Sequence, residues 1–291
     1  MTYGITPPER QIDLRLPDGR VFAWSEWGPQ NGRPVVFCTG AAMSGALGFG
    51  AGVLSALDVR LIVPDRPGLG RSDPHPKKTL LSWVADVRCL LHTARLGDAR
   101  VVGFSQGAPF ALALAGADLV GAAALVSPQD DLRHPALTPL LSPDVANMVS
   151  AIATDPDGFE AAFADFATAG GLWELILGMS GERDRAVYLD PTFHAAYRQA
   201  LAEGFARGAR PYARDLVNAL APWPYEPEEM RIPVDLWFGG QDASTVHSPD
   251  FGMTLASRLP YATRVLDANE GASILWTRAY EILQALLAHT P

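Results

Sequence analysis

The sequence predicts an α/β fold: a mostly parallel sheet flanked by helices, with a purely helical segment inserted past the middle. Three observations lead to it. Short, continuously apolar runs such as Pro34–Cys38 and Arg60–Val63 have the character of strands buried on both faces. They alternate with stretches of helical spacing, the pattern of parallel strands joined by crossover helices. From residue 131 to residue 223 the alternation stops, and only helix signals remain.

The elements follow in chain order. Arg10–Leu16 places Ile12, Leu14 and Leu16 on one face, Asp18-Gly19 is a hairpin signal, and Val21–Trp27 returns as a second strand. Pro34–Cys38 and Arg60–Val63 are the first buried strands. Leu80–Leu96 repeats its apolar residues at helical spacing. Arg100–Gly103, Ala122–Val126, Val234–Phe238 and Thr263–Leu266 complete the strand set, and Ser273–Ala288 reads as one closing helix. Within the insertion, Ser142-Pro143, Asp155-Pro156 and Asp190-Pro191 each set an N-cap residue before a proline at the first helical position. Its Met148, Phe159, Phe163, Phe166, Trp173, Met179, Phe193, Tyr197 and Phe205 read as the insertion's own core, with some of them facing a substrate gap. The expected organisation is a core of residues 1–130 and 224–291, with a helical cap, or lid, over residues 131–223.

Composition narrows the partners. Of 291 residues, 48% are apolar, enough for a large core. The formal charge of −9 argues against nucleic acid. No charge-free apolar run reaches the ~20 residues of a membrane span, and no basic start followed by an apolar stretch marks a secretion signal. A cytoplasmic protein is expected. Cys38 and Cys89 read as free thiols in a reducing compartment, and no Cys or His spacing suits a metal. Gly48-Phe49-Gly50 follows no strand–turn junction of the dinucleotide-binding kind, so no cofactor is expected.

The chemistry centres on Gly103-Phe104-Ser105-Gln106-Gly107, which lies between an apolar strand and an alanine-rich helix. In that context Gly-x-Ser-x-Gly is a strained turn that lifts a nucleophilic serine above the sheet, with a helix N-terminus beneath any oxyanion formed beside it. Such a serine needs oxyanion donors, an acid and a base. The donors are expected from the backbone N–H groups of Ala41, after Gly40, and of Gln106. The acid is expected at Asp242, after Gly239-Gly240-Gln241 at the carboxyl end of a strand. Asp130 and Asp131 are the fallback positions.

With these residues the chain resembles the α/β-hydrolase fold superfamily, in its capped esterase, peptidase and haloperoxidase-like branch. The resemblance rests on Gly103–Gly107, on Asp65-Arg66-Pro67-Gly68-Leu69-Gly70-Arg71-Ser72 and on Phe238–Asp242, and it runs over nearly the whole chain. It implies that a buried Asp/Arg pair shapes the Asp65–Ser72 turn. It also implies the triad order Ser, Asp, His, with the histidine in the loop before the closing helix. That loop reads Asn269-Glu270-Gly271-Ala272-Ser273, and Ala272 stands at the histidine position.

A methyl group accepts no proton, so the chain as written is expected to be a severely impaired hydrolase of a small apolar ester or related acyl compound. Either a histidine has been replaced by alanine, or a natural protein of this fold binds or cyclises its ligand without a base. The retained Ser105, Asp242 and oxyanion loop favour replacement. The alternatives are a non-hydrolytic ligand-binding protein, and a cyclase or lyase acting on an apolar natural product. His247, His134 and His194 read as solvated or packed side chains, and nothing chemical is assigned to His75, His92 or His289.

Overall fold

A computed structural model describes residues 3–289. Eight strands form one sheet: β1 (Arg10–Arg15), β2 (Val21–Trp27), β3 (Arg33–Cys38), β4 (Val59–Pro64), β5 (Arg100–Phe104), β6 (Ala123–Val126), β7 (Val234–Gly239) and β8 (Ala262–Asp267). Their spatial order is β1-β2-β4-β3-β5-β6-β7-β8. The first two strands form an antiparallel hairpin, and β2 also runs antiparallel to β4. Every pairing from β4 to β8 is parallel. The central strand β5 is buried along its whole length, as a strand covered on both faces must be.

On the two sides of the sheet lie α1 (Leu80–Thr93), α2 (Gly107–Gly116), α9 (Met253–Arg258), α10 (Ile274–Thr277) and α11 (Ala279–Ala288). Thr79 opens α1 through a reciprocal capping box with Ser82. The helix expected over Leu80–Leu96 stops at Thr93, and Arg95 takes a positive φ of 53°. The closing helix is also not continuous. Arg278, at φ −123°, separates α10 from α11, and its guanidinium turns towards Asp267 and Glu270.

Between β6 and β7 the described chain holds no strand. It forms α3 (Pro143–Thr154), α4 (Pro156–Phe166), α5 (Ala169–Gly178), α6 (Glu182–Tyr188), α7 (Pro191–Gly204) and α8 (Arg210–Leu220). The Asp155 and Asp190 side chains cap α4 and α7 as their Asp-Pro sequences predict. Ser142 precedes Pro143 without a side-chain cap bond. Phe193 and Trp173 are buried, whereas Phe166 is 70% exposed and belongs to no core.

These helices are fastened to the strand layer close to the carboxyl end of β3. Ser44 N donates to Ala200 O of α7 at 3.1 Å. A Cβ on Gly204 would lie 1.7 Å from Ala42 O, so only glycine permits this approach of α7. Cys38 is buried, Cys89 half-buried, and both are free. No helix among the described residues is long and apolar enough to cross a membrane.

Candidate active site

β5 delivers Ser105 to the carboxyl edge of the sheet, and the turn into α2 forces its backbone to a φ of 51°. A residue with a Cβ is strained there. The turn is as tight as its glycines allow. A Cβ on Gly107 would stand 2.0 Å from Cys38 O, and one on Gly103 would stand 2.8 Å from the Ala111 Cβ. Ser105 N donates to Val126 O at 3.1 Å, and Gln129 N donates to Ser105 O at 3.0 Å. The strained turn is thus bound to β6 and the loop after it.

An imidazole meets this hydroxyl, and it comes from His247. Its Nε2 lies 2.8 Å from Ser105 Oγ, and its Nδ1 lies 2.7 Å from Asp242 Oδ2. With the ring proton on Nδ1 donated to the carboxylate, Nε2 carries the lone pair that accepts the Ser105 hydroxyl proton. The other Asp242 oxygen accepts from Ser244 N at 2.9 Å. Both side chains are nearly withdrawn from solvent, 8% and 4% exposed, and the Phe104 ring stands edge-on to the imidazole at 6.5 Å.

This geometry corrects the expectation that Ala272 leaves the serine without a base. Asp242 and its imidazole both belong to the single loop after β7, four residues lying between them. The loop is held against the strand edge by residue 248. Ser248 N donates to Pro128 O at 3.0 Å, and Ser248 Oγ donates to Asp130 Oδ2 at 2.7 Å. Asp130, the fallback acid, therefore anchors the histidine loop and does not touch the ring. Burial pushes its carboxyl up to about 6. Asp131 pairs with Arg258 instead. The signal in the sequence was the short Asp242–His247 spacing, but the contact depends on where Ser248 is tied, which no spacing reveals.

Ala272 does sit beside the site, lining the same cavity as Ser105 and His247. Its loop is clamped by α6. Ala272 N, Ser273 N and Ser273 Oγ all donate to the Asp184 carboxylate, at 3.0, 2.8 and 2.7 Å. Ser127 Oγ donates to Ala272 O at 3.1 Å. A Cβ on Gly271 would fall 2.3 Å from the same carboxylate.

The two backbone N–H groups expected as oxyanion donors belong to residues that line this cavity, Ala41 and Gln106. Arg66 governs the first. It donates to Thr39 O at 2.6 Å and to Gly40 O at 2.8 Å. In a trans peptide the C=O and N–H point to opposite sides. Fixing the Gly40 carbonyl on the guanidinium therefore turns the Ala41 N–H the other way.

Arg66 is itself held by Asp215 of α8, at 2.8 Å, and Lys78 Nζ approaches the second oxygen of that carboxylate at 2.6 Å. All three are buried. Asp65 and Arg66 of the Asp65–Ser72 turn are both buried, and each has its own partners. Asp65 accepts from Gly45 N and Arg71 N at 2.6 and 3.0 Å, and burial pushes its carboxyl up to about 6.

The cavity above Ser105 measures about 130 Å³. Its apolar wall comes from Met148, Phe163, Leu172, Leu175 and Ile176 of α3, α4 and α5. No lysine or arginine lines it. Among the described residues no cluster of His, Cys, Asp and Glu could hold a metal ion.

The model of the alpha/beta hydrolase fold family matches residues 33–278, which is most of the chain. The chain belongs to the α/β-hydrolase fold family. Solved structures of similar shape include a bromoperoxidase from Bacillus anthracis, at 19% identity and a TM-score of 0.64, with 96% of this chain and 98% of that one covered. An esterase from Exiguobacterium antarcticum shares 14% identity at a TM-score of 0.65, with 95% and 97% covered. An enol-lactonase from Burkholderia xenovorans shares 19% identity at 0.65, with 95% and 98% covered. At these identities the likeness is one of fold. A search of curated protein sequences gives no match.

Proposed function

We propose that this α/β-hydrolase is a serine hydrolase of small, neutral carboxylic esters or related acyl compounds, and that His247 is its base. The observation that carries the proposal is the continuous hydrogen-bonded line from Asp242 through His247 to Ser105, opening into a cavity with an apolar wall. Residues 131–223 act as the cap that shapes this cavity.

In the reaction, Ser105 Oγ attacks the acyl carbon while His247 Nε2 takes the hydroxyl proton. The imidazolium is stabilised and oriented by Asp242. The tetrahedral oxyanion accepts hydrogen bonds from the N–H groups of Ala41 and Gln106, each such donor being worth about 3–4 kcal/mol in the transition state. His247 then returns the proton to the departing alcohol. Water, activated by the same nitrogen, releases the acid.

The readings as a binding protein or a base-free cyclase rested on Ala272, and they lose their ground once an imidazole reaches the serine from another loop. The hydrolase branch of the fold, which includes the esterase and the enol-lactonase above, is the better context for these residues.

The test is titration of released acid from ethyl hexanoate by the purified protein. Turnover well above the buffer rate is expected, saturating with substrate. The absence of turnover with ethyl hexanoate and with shorter ethyl esters would overturn the proposal.

A further inference from the structure

Part of the cavity wall is phenolic. Tyr188 closes α6, Tyr197 lies within α7 and Tyr212 within α8, and all three line the cavity that holds Ser105. They are 3%, 4% and 6% exposed. Buried tyrosines ordinarily give their hydroxyl to a protein acceptor, as Tyr225 does to Pro109 O at 2.7 Å. The hydroxyls of Tyr188, Tyr197 and Tyr212 have no such acceptor among the described residues. Gln106 Oε1, on the same cavity, is buried without a partner as well.

The rings are held rigidly. Tyr188 and Tyr197 meet edge-on at 5.7 Å, and Tyr212 meets Phe163 edge-on at 5.5 Å. Burial pushes all three phenols above their ordinary range. Tyr197, Asp184 and Asp242 add to the rise at Tyr188, and Tyr212 adds to it at Tyr197; at Tyr212 the Arg66 guanidinium works against burial, and Asp215 opposes Arg66. They therefore stay protonated donors, and they form a row from the Asp242 end of the site to the Arg66 end.

Donors that line an apolar cavity without a protein acceptor are free to bond acceptor oxygens that a ligand brings. The cavity volume, about 130 Å³, is close to the ~150 Å³ of a buried apolar cavity that holds benzene, so the enclosed part of the ligand is small. With no lysine or arginine on the lining, a carboxylate or phosphate there would have no counter-charge.

We infer that Tyr188, Tyr197 and Tyr212 form a specificity row for the acyl part of the substrate. The ligand they fit is a small neutral ester or lactone carrying a second acceptor oxygen, a ketone or ether, along its chain. The inference rests on the reading of this cavity as the acyl site, and it makes the enzyme selective for oxygenated over plain hydrocarbon acyl groups.

The test uses ethyl hexanoate, ethyl 5-oxohexanoate and ethyl hydrogen glutarate. Binding is measured by calorimetry to the Ser105→Ala protein, and turnover is measured with the unaltered protein. The oxo ester is expected to bind about five- to tenfold more tightly than the hexanoate, the scale of one neutral hydrogen bond, and the glutarate more weakly than either. Tyr188→Phe, Tyr197→Phe and Tyr212→Phe keep the ring, and at least one should erase the preference by weakening oxo-ester binding more than hexanoate binding; thermal melting confirms that each variant folds. Equal binding of the two neutral esters, failure of both to bind, or a preference that survives in all three variants would overturn the inference. Turnover without preference defeats this inference and leaves the hydrolase proposal standing. Preference without turnover defeats the hydrolase proposal, and with it the reading of the row as selecting an acyl group.

Discussion

Replacing His247 by alanine is expected to lower kcat for ester hydrolysis by about 10⁴- to 10⁶-fold, the range seen when a triad base is removed. KM should change little, because the ring touches Ser105 and Asp242 and the apolar wall is made by other helices. The fold should survive. The loop that carries the imidazole is anchored by its neighbour, Ser248, to Pro128 and Asp130, and none of those bonds involves the ring.

The complementary variant is Ala272→His. If the position before the closing helix were an emptied catalytic site, this change would raise activity by several orders of magnitude. No gain is expected. Asp242 is already committed to His247, and a side chain added at residue 272 would enter the cavity that Ala272 lines. Side-by-side initial rates of the two variants and the parent protein decide the matter.

The second large effect is expected at Asp215, a residue that touches no substrate. Its carboxylate faces the guanidinium of Arg66 and the ammonium of Lys78, and all three are buried. Asp215→Ala would leave two buried cations without a counter-charge. Breaking a buried pair from one side costs about 3–5 kcal/mol, so the denaturant midpoint should fall steeply.

The deficit should depend on pH in a definite direction. Burial already holds the Lys78 ammonium below its ordinary 10.5, with Asp215 opposing that shift. Without Asp215 the folded-state value drops further. Between that depressed value and 10.5 the unfolded chain binds more protons than the folded one, so stability rises with pH across the window. The variant should therefore recover part of its loss as pH increases towards 10, relative to the parent.

On the proposed mechanism, Asp215 also acts on catalysis, through Arg66. The guanidinium fixes Thr39 O and Gly40 O, and through them the direction of the Ala41 N–H. Asp215→Asn, assayed well below its melting temperature, should lower kcat by about 10- to 1,000-fold, the scale of a misplaced oxyanion donor, with KM nearly unchanged. A merely structural role would lower the folded fraction without that split. The helices of the insertion thus reach the loop after β3 that carries Ala41. α8 reaches it through Asp215, and α7 reaches it through Ser44 and Gly204.

The parts of the site visible in the sequence were those whose chemistry is local. The Ser105 turn is written in five consecutive residues, because a strand, a strained turn and a helix must follow one another with glycines at the close approaches. Asp242 follows closely on a buried strand, and a strand end has a known place on the sheet. The strands were legible from their apolar runs or, for β1 and β2, from one-sided alternation and the Asp18-Gly19 hairpin signal.

The imidazole that meets Ser105 was not legible, because its position depends on a loop fold. His247 reaches Ser105 only since Ser248 is tied to Pro128 and Asp130, more than a hundred residues earlier in the chain. The resemblance to the family pointed to residue 272, and the space beside Ser105 is indeed there, but the imidazole enters from the neighbouring loop. The phenolic row was hidden for a related reason. Tyr197 read as one core aromatic among many, and nothing in sequence separates a tyrosine whose hydroxyl is spent from one whose hydroxyl faces a cavity. The counter-ion of Arg66 was hidden as well, because Asp215 comes from α8, 149 residues further along the chain.

The most direct measurement of the central claim is the rate of covalent labelling by an alkyl fluorophosphonate, followed by intact mass and peptide mapping. The unaltered protein should take up one equivalent, on Ser105, and His247→Ala should label at least about 10³-fold more slowly, since the serine then lacks its general base. A parent protein that stays unlabelled, an adduct on another residue, or a His247→Ala protein that labels as fast as the parent would contradict it.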